Sequence, residues 1–469
     1  MNARSLPHLI LALAILVLKS GAALGGDPAH PYNVRDFGAK GDKTTNDAAA
    51  IQRAIDAAAK EESGVVILPK GDYLSGRLNL ASHVTLRLED GATLYASTDP
   101  KDYQSGPHSG TLLMARGAQG VTIEGPGRVD GQATGDFGKR WGAPETADFR
   151  THLVVCDECR DVVIRQVSFV NSDSWTIHLK RCDGVTLSQV KVHNNYRRLN
   201  SDGIDPDSCT HVQIRDCDVV SGDDAIVLKT TTAAPCADVV VADCRLESAA
   251  AALKLGTESH GDFRDIRFER CVIRNSPVGV GLYLKDGATM ERIAAKDLRI
   301  ELSDATFHDV VPLFIDIEKR TPETKIGSIR GVTFENIDIT GGAGLLLQGM
   351  PESPLGNIVL RNITLHVRQP VDYASRKKPV GGHRTTRDDR DTLYARKPAY
   401  AALAYIHGLT VDNFAVQIAP ADFQLYPRSA LAGFHLQDGT VAEVTRTGQV
   451  APPPVVDLEE CEGVTVRTP

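Results

Sequence analysis

The sequence predicts an all-β solenoid, a parallel β-helix, and three observations carry that prediction. Alternating triplets Val162-Val163-Ile164, Val185-Thr186-Leu187, Val212-Gln213-Ile214, Val239-Val240-Val241 and Ile266-Arg267-Phe268 recur at a spacing that settles to 27 residues. A fixed period of about 20 to 50 residues implies a coil in which each repeat is one turn stacked on the next. Cys182, Cys209 and Cys236 share the 27-residue period, as do Cys217, Cys244 and Cys271, so each trio should occupy one equivalent position on successive turns. Aromatic residues make up only 5% of the chain while glycine numbers 41, a balance that suits short strands and tight turns. With about three short strands per turn and no helix-length segment between them, the repeat reads as a β-helix; the leucine spacing and asparagine position of leucine-rich repeats are absent.

The first 25 residues read as a signal peptide. Arg4 precedes an apolar run from Leu6 to Leu18, and Ala23-Leu24-Gly25 gives a small-x-small cleavage pattern. The run is too short to span a bilayer, so export without a stable membrane anchor is expected. Residues 26–469 are then expected to form a single β-helix domain. Its first part, 32–97, holds an N-terminal cap and the first turns: Ile51, Ala54, Ile55 and Ala58 fall at helical spacing behind Thr45 or Asn46 as N-cap, and short strands follow. Beyond Gly331 the strand pattern loosens, and residues 368–398 interrupt it as an Arg- and Lys-rich loop insertion. Stacked cysteines are read as buried thiols aligned along the axis, with disulfides as the competing use. The sequon Asn362-Ile363-Thr364 lies in a strand-like run and is discounted as a glycan site.

The 469 residues carry a net charge of −8, which does not supply the basic face a nucleic-acid binder needs. The chemistry concentrates instead in "NSDGID", starting at Asn200, and "GDDAI", starting at Gly222. Asp202 precedes Asp223 and Asp224 by slightly less than one repeat, so the three should converge on neighbouring turns. Clustered carboxylates repel one another, and at least one should keep a proton near neutral pH. Glycoside hydrolysis uses such a set: a protonated carboxyl for the leaving oxygen and an ionised one for water. A spacing of about 6.5 to 9.5 Å leaves room for that water and gives inversion. Turn chemistry, a Ca²⁺ site and a stacked polar ladder are the competing uses of the same aspartates. Asp205 and Asp207, outside the tightest cluster, read as structural.

These motifs, with the opening "VRDFGAKGDKTTNDAAAIQRAI", resemble the polygalacturonases, the family 28 glycoside hydrolases that act on pectin. The resemblance implies a right-handed parallel β-helix and inverting hydrolysis of a pectic polysaccharide, polygalacturonan or rhamnogalacturonan, or of its oligosaccharides. It implies that Asp223 donates the proton while Asp202 and Asp224 hold and deprotonate water, with Asn200 lining the same subsite. Two family signatures are altered. The family histidine falls on Ala251 in "AAALKLGT", with His260 nearby but out of register, and the family Arg-Ile-Lys corresponds to Tyr283-Leu284-Lys285. Lys285, Tyr283, Lys254 and His260 are therefore candidate substrate-binding residues, and Lys229 and Glu258 further candidates near the cluster. Replacing an Arg fork by one Lys and an aromatic ring weakens the case for galacturonate on the leaving side. No cofactor or metal is expected, and a secreted or periplasmic monomer is. A β-helix polysaccharide lyase and a non-catalytic glycan-binding β-helix remain the alternatives.

Overall fold

A computed structural model describes residues 31–61, 63–103, 109–133, 149–303, 310–370, 397–447 and 453–467. The expected signal peptide lies outside the described residues, as do residues 371–396 of the expected loop insertion. Within them, most strands up to Phe263–Glu269 pair in parallel with the strand three further along the chain, and beyond it longer strands that span two columns pair with the next or second-next strand, so columns of parallel strands run along a coil. One column contains Arg150–Asp157, Ile177–Lys180, Ile204–Asp207, Ile226–Thr230, Ala251–Ser259, Val278–Leu284 and Val311–Ile317.

The inward row of this column is Ile177, Ile204, Ile226, Leu253, Val280 and Leu313, residues in direct register and all fully buried. Strand alternation turns their neighbours outward, which is how an aliphatic core and a polar working face share one strand. The triplets named above form a second such column, Val185 beside Val212, Val239 and Ile266. The cysteines stack as the period requires. The Cys182 N–H donates to the Cys209 sulfur at 3.3 Å, eight cysteines are buried, and all nine are free thiols.

The helix spans Ala48–Ala58 and buries Ile51, Ala54, Ile55 and Ala58 against neighbouring strands. It starts one residue later than an Asn46 cap implies: Asp47 precedes it, but the Asp47 carboxylate accepts from the Lys40 and Gly41 N–H groups, and Asn46 Oδ1 accepts from Ala48. Asn362 sits in the Leu355–Val367 strand with its amide inside a corner ladder, donating to Asn336 at 2.9 Å and accepting from Asn413 at 3.1 Å.

Candidate active site

Compensating loop lengths build the site. Ile177 and Ile204 are partners 27 residues apart, but Ile204 and Ile226 only 22, because ten residues separate His193 from Ile204 while five separate Val220, the register partner of His193, from Ile226. The longer loop, residues 194–203, folds back over the shorter one. Two glycines permit the overlap. A Cβ on Gly222 would stand 2.1 Å from the Arg198 carbonyl oxygen, and one on Gly203 2.4 Å from that of Ala225. The Gly203 N–H donates to the Asp224 carbonyl at 2.9 Å, which locks the two aspartate-bearing turns together.

The loop is also tied from below. Asp173 pairs with Arg198 and Arg150, and Arg150 donates to the Leu199 carbonyl and, at 3.0 Å, to Asn200 Oδ1. Ser221 and Ser248 hydroxyls both donate to the Asp223 carbonyl, at 2.7 and 2.6 Å, and so fix the backbone from which that side chain projects.

One oxygen from each of Asp202, Asp223 and Asp224 lies within 4.8 Å of the others. Asp202 and Asp224 are buried, whereas Asp223 is partly open and accepts from the Asn200 N–H at 3.2 Å. Lys254 donates to Asp224 Oδ2 at 2.6 Å, and the Ala251 N–H reaches Asp224 Oδ1 at 3.2 Å. Burial, then the neighbouring Asp223 charge, pushes the Asp202 carboxyl well above its usual range. Three carboxylates this close could share a cation, but the Lys229 and Lys254 ammoniums already supply positive charge at two of them.

The remaining candidates divide. Asn200 and Lys254 reach the trio. Tyr283 does not present a sugar platform: its ring is 4% exposed, packs on Phe314 at 4.7 Å between centroids, and stands 5.3 Å from the Lys254 ammonium. Gly281 makes room for it, since a Cβ there would meet the ring at 2.5 Å. The Lys285 ammonium is 2.8 Å from Glu318 in a buried pair, so its charge is compensated inside the protein. His260 is half exposed and 3.9 Å from Asp286. Asp286 in turn holds Arg320 through both carboxylate oxygens, at 2.6 and 2.8 Å.

Asp207 is structural, bonded to Thr231 and His178. Asp205 is fully buried, neither of its carboxylate oxygens has a hydrogen-bond donor, and burial first of all pushes its carboxyl up. Arg150, Trp175 and Asp173 escaped the sequence reading. Asp173 and Trp175 lie one turn before Asn200 and Asp202 and Arg150 two turns before, and only the 27-residue period applied backward from Asp202 would have pointed to Trp175.

The family described as Glycosyl hydrolases family 28 matches residues 59–234, a span that includes all three aspartates. A probable polygalacturonase of Vitis vinifera is 26% identical over 373 residues, covering 72% of this chain and 75% of the relative. An exopolygalacturonase of Thermotoga maritima shares the fold with a TM-score of 0.60 at 23% identity, over 73% of this chain and 88% of that one. A family 28 exopolygalacturonase of Yersinia enterocolitica does so with a TM-score of 0.61 at 20% identity, over 93% and 78%. The family match across the aspartate motifs and the curated relative make the chain similar to family 28 glycoside hydrolases of the polygalacturonase kind, and the solved structures share its parallel solenoid.

Proposed function

We propose that the protein is an exported, inverting hydrolase of pectic polysaccharide or its oligosaccharides, with Asp202, Asp223 and Asp224 as its catalytic residues. The observation that carries the reading is the convergence of these three carboxylates within 4.8 Å, one partly open and two buried. Asp223, the accessible member, is placed to deliver a proton to the leaving glycosidic oxygen as its bond to the anomeric carbon breaks. Asp202 and Asp224 are placed to orient a water whose oxygen bonds to that carbon and whose proton passes to a carboxylate. The Lys254 ammonium donates to Asp224 at 2.6 Å, a contact that favours a carboxylate there. Asn200 lines the same rim. The names of the relatives, polygalacturonases and exopolygalacturonases, support a pectic substrate for this chain.

The trio is tighter than the roughly 6.5 to 9.5 Å of a separated acid and base with water between them. In the inverting reading the water therefore stands beside the carboxylates. The short spacing favours one competitor, retention through a glycosyl-enzyme intermediate, which uses carboxyls about 5 to 5.5 Å apart.

The same reading takes the coil as right-handed, with the Ala48–Ala58 helix capping its N-terminal end. It takes residues 1–25 as a leader, 26–469 as one monomeric catalytic domain and 368–398 as a loop insertion. No helix among the described residues is long and apolar enough to cross a membrane.

The test is product analysis of the purified chain on polygalacturonan, rhamnogalacturonan and their oligomers, with Asp223→Asn beside it. Saturated sugars from the native protein, abolished in the variant, are expected, and proton NMR of the first-formed anomer separates inversion from retention. Unsaturated products absorbing in the ultraviolet mean a lyase, and binding without cleavage that survives Asp223→Asn means a glycan-binding β-helix; either outcome overturns the proposal.

A further inference from the structure

Two lysines serve the aspartate cluster in different ways. Lys254 closes on Asp224 at 2.6 Å. Lys229, on the Ile226–Thr230 strand directly behind the Gly-Asp-Asp turn, closes on nothing. Its ammonium stands 3.7 Å from Asp202, 3.8 Å from Asp205 and 3.5 Å from Glu258, with the Trp175 ring face 4.5 Å away. The residue is 4% exposed. A buried ammonium held between three carboxylates and an aromatic face is a shared countercharge, and water does not screen it.

We propose that Lys229 is a positioning residue of the hydrolysis: its shared ammonium sets the charge on the aspartate cluster, and thereby the pH window in which one carboxyl keeps a proton and another gives it up. This rests on the catalytic reading of the trio above. The charges facing Lys229 come from every neighbouring element. Asp202 and Asp205 lie on the turn before it in the coil, and Asp223 and Asp224 on its own turn. Lys254 and Glu258 lie on the Ala251–Ser259 strand, and Arg150, on the Arg150–Asp157 strand, interacts with Asp202. His178, on the Ile177–Lys180 strand, is engaged by Asp207.

Among these, Lys229 is the strongest influence drawing Asp202 back toward ionisation, against burial and the Asp223 charge. Glu258 competes for it. Burial opposes ionisation of Glu258, and the Lys229 and Lys254 charges overcome that and lower its carboxyl. Asp205, lacking any hydrogen-bond donor, sits on the far side of the same ammonium.

Two variants test this in opposite directions. Lys229→Met removes the charge at similar length, and the whole pH profile of kcat/KM should move alkaline by one to two pH units: about 10- to 100-fold slower on the acid limb, approaching the native rate on the alkaline side. Glu258→Gln leaves the core intact because Glu258 is only partly buried, and frees the ammonium for Asp202, so the acid limb should move the other way. Carboxyl ¹³C titration of Asp202 in the native protein and in Glu258→Gln reads the same shift without turnover. A lysine that merely packs lowers kcat equally at every pH and leaves both the Glu258→Gln profile and the Asp202 titration unmoved, which overturns the inference. Native protein that fails to cleave any pectic substrate overturns the catalytic reading instead, while the ¹³C titration still decides whether Lys229 governs the cluster.

Discussion

Asp207→Asn probes the corner that carries Lys229, and its cost follows from the structure. Asp207 is fully buried in register with Lys229. Its Oδ1 accepts from the Thr231 N–H at 2.8 Å and the Ser208 hydroxyl at 3.1 Å, and its Oδ2 accepts from the Thr231 hydroxyl at 2.6 Å and faces His178 Nε2 at 3.2 Å. Burial alone would raise the carboxyl; the bonds from His178 and Thr231 overcome it and hold the group at about 2 instead of 3.8. At about 1.4 kcal/mol per pH unit, that difference is worth roughly 2 kcal/mol to the folded state. Because the folded value is the lower one, the contribution is complete above about pH 4 and is lost as pH falls through about 2. Asparagine cannot ionise and turns an amide toward one of the donors, so a loss of about 2 to 3 kcal/mol at pH 7 is expected. For a chain of this length the unfolding entropy is roughly 0.9 kcal/mol/K, so Tm should fall by about 2 to 3 °C. Calorimetry of both proteins at pH 7, 5, 3 and 2 is the assay. The gap between them should narrow between pH 4 and 2; a gap that stays constant refutes the argument, because the lost stability would then not be that of a charged carboxylate.

Tyr283→Phe keeps the ring against Phe314 and should leave KM nearly unchanged, whereas Tyr283→Ala should cost about 3 to 5 kcal/mol by opening a cavity there; a raised KM in Tyr283→Phe with the native fold would restore a substrate-contacting role. Thiol titration with an aromatic disulfide should find nine reactive groups in denaturant and none reacting quickly in the native protein apart from the partly exposed Cys461. Fewer than nine in denaturant without reductant would show that cysteine rungs have bridged.

The coil was legible because its signal is redundant. The aliphatic triplets and cysteine trios state one period twice, and every hydrophobic rung repeats it. Site placement was less legible. The 22-residue separation of Asp202 and Asp224 shows that they meet, but not that five residues added to the loop at 194–203 fold Asn200 over Asp223. Tyr283 and Lys285 misled for a physical reason: alternation puts both on the outward face of the Val278–Leu284 column, and sequence alone does not say that Phe314 and Glu318 from the next strand bury them there. The short helix Pro420–Leu425, opening with proline at its first position, went unnoticed in a region read only as loose strand.

By itself, then, the sequence determined the periodic part of this protein: the strand columns, the buried cysteine rungs, the helix at Ala48–Ala58 and the convergence of three aspartates. The columns and rungs follow from side-chain alternation and equal chain length per turn, and the convergence from an aspartate spacing slightly short of one turn, all of which a linear pattern records. Only the tertiary structure decided which charges face one another. Lys229 belongs to Asp202, Asp205 and Glu258, and Lys285 to Glu318, because packing selects partners across turns by the reach of each side chain and by the cost of burying charge without a counterpart, and neither is written in spacing.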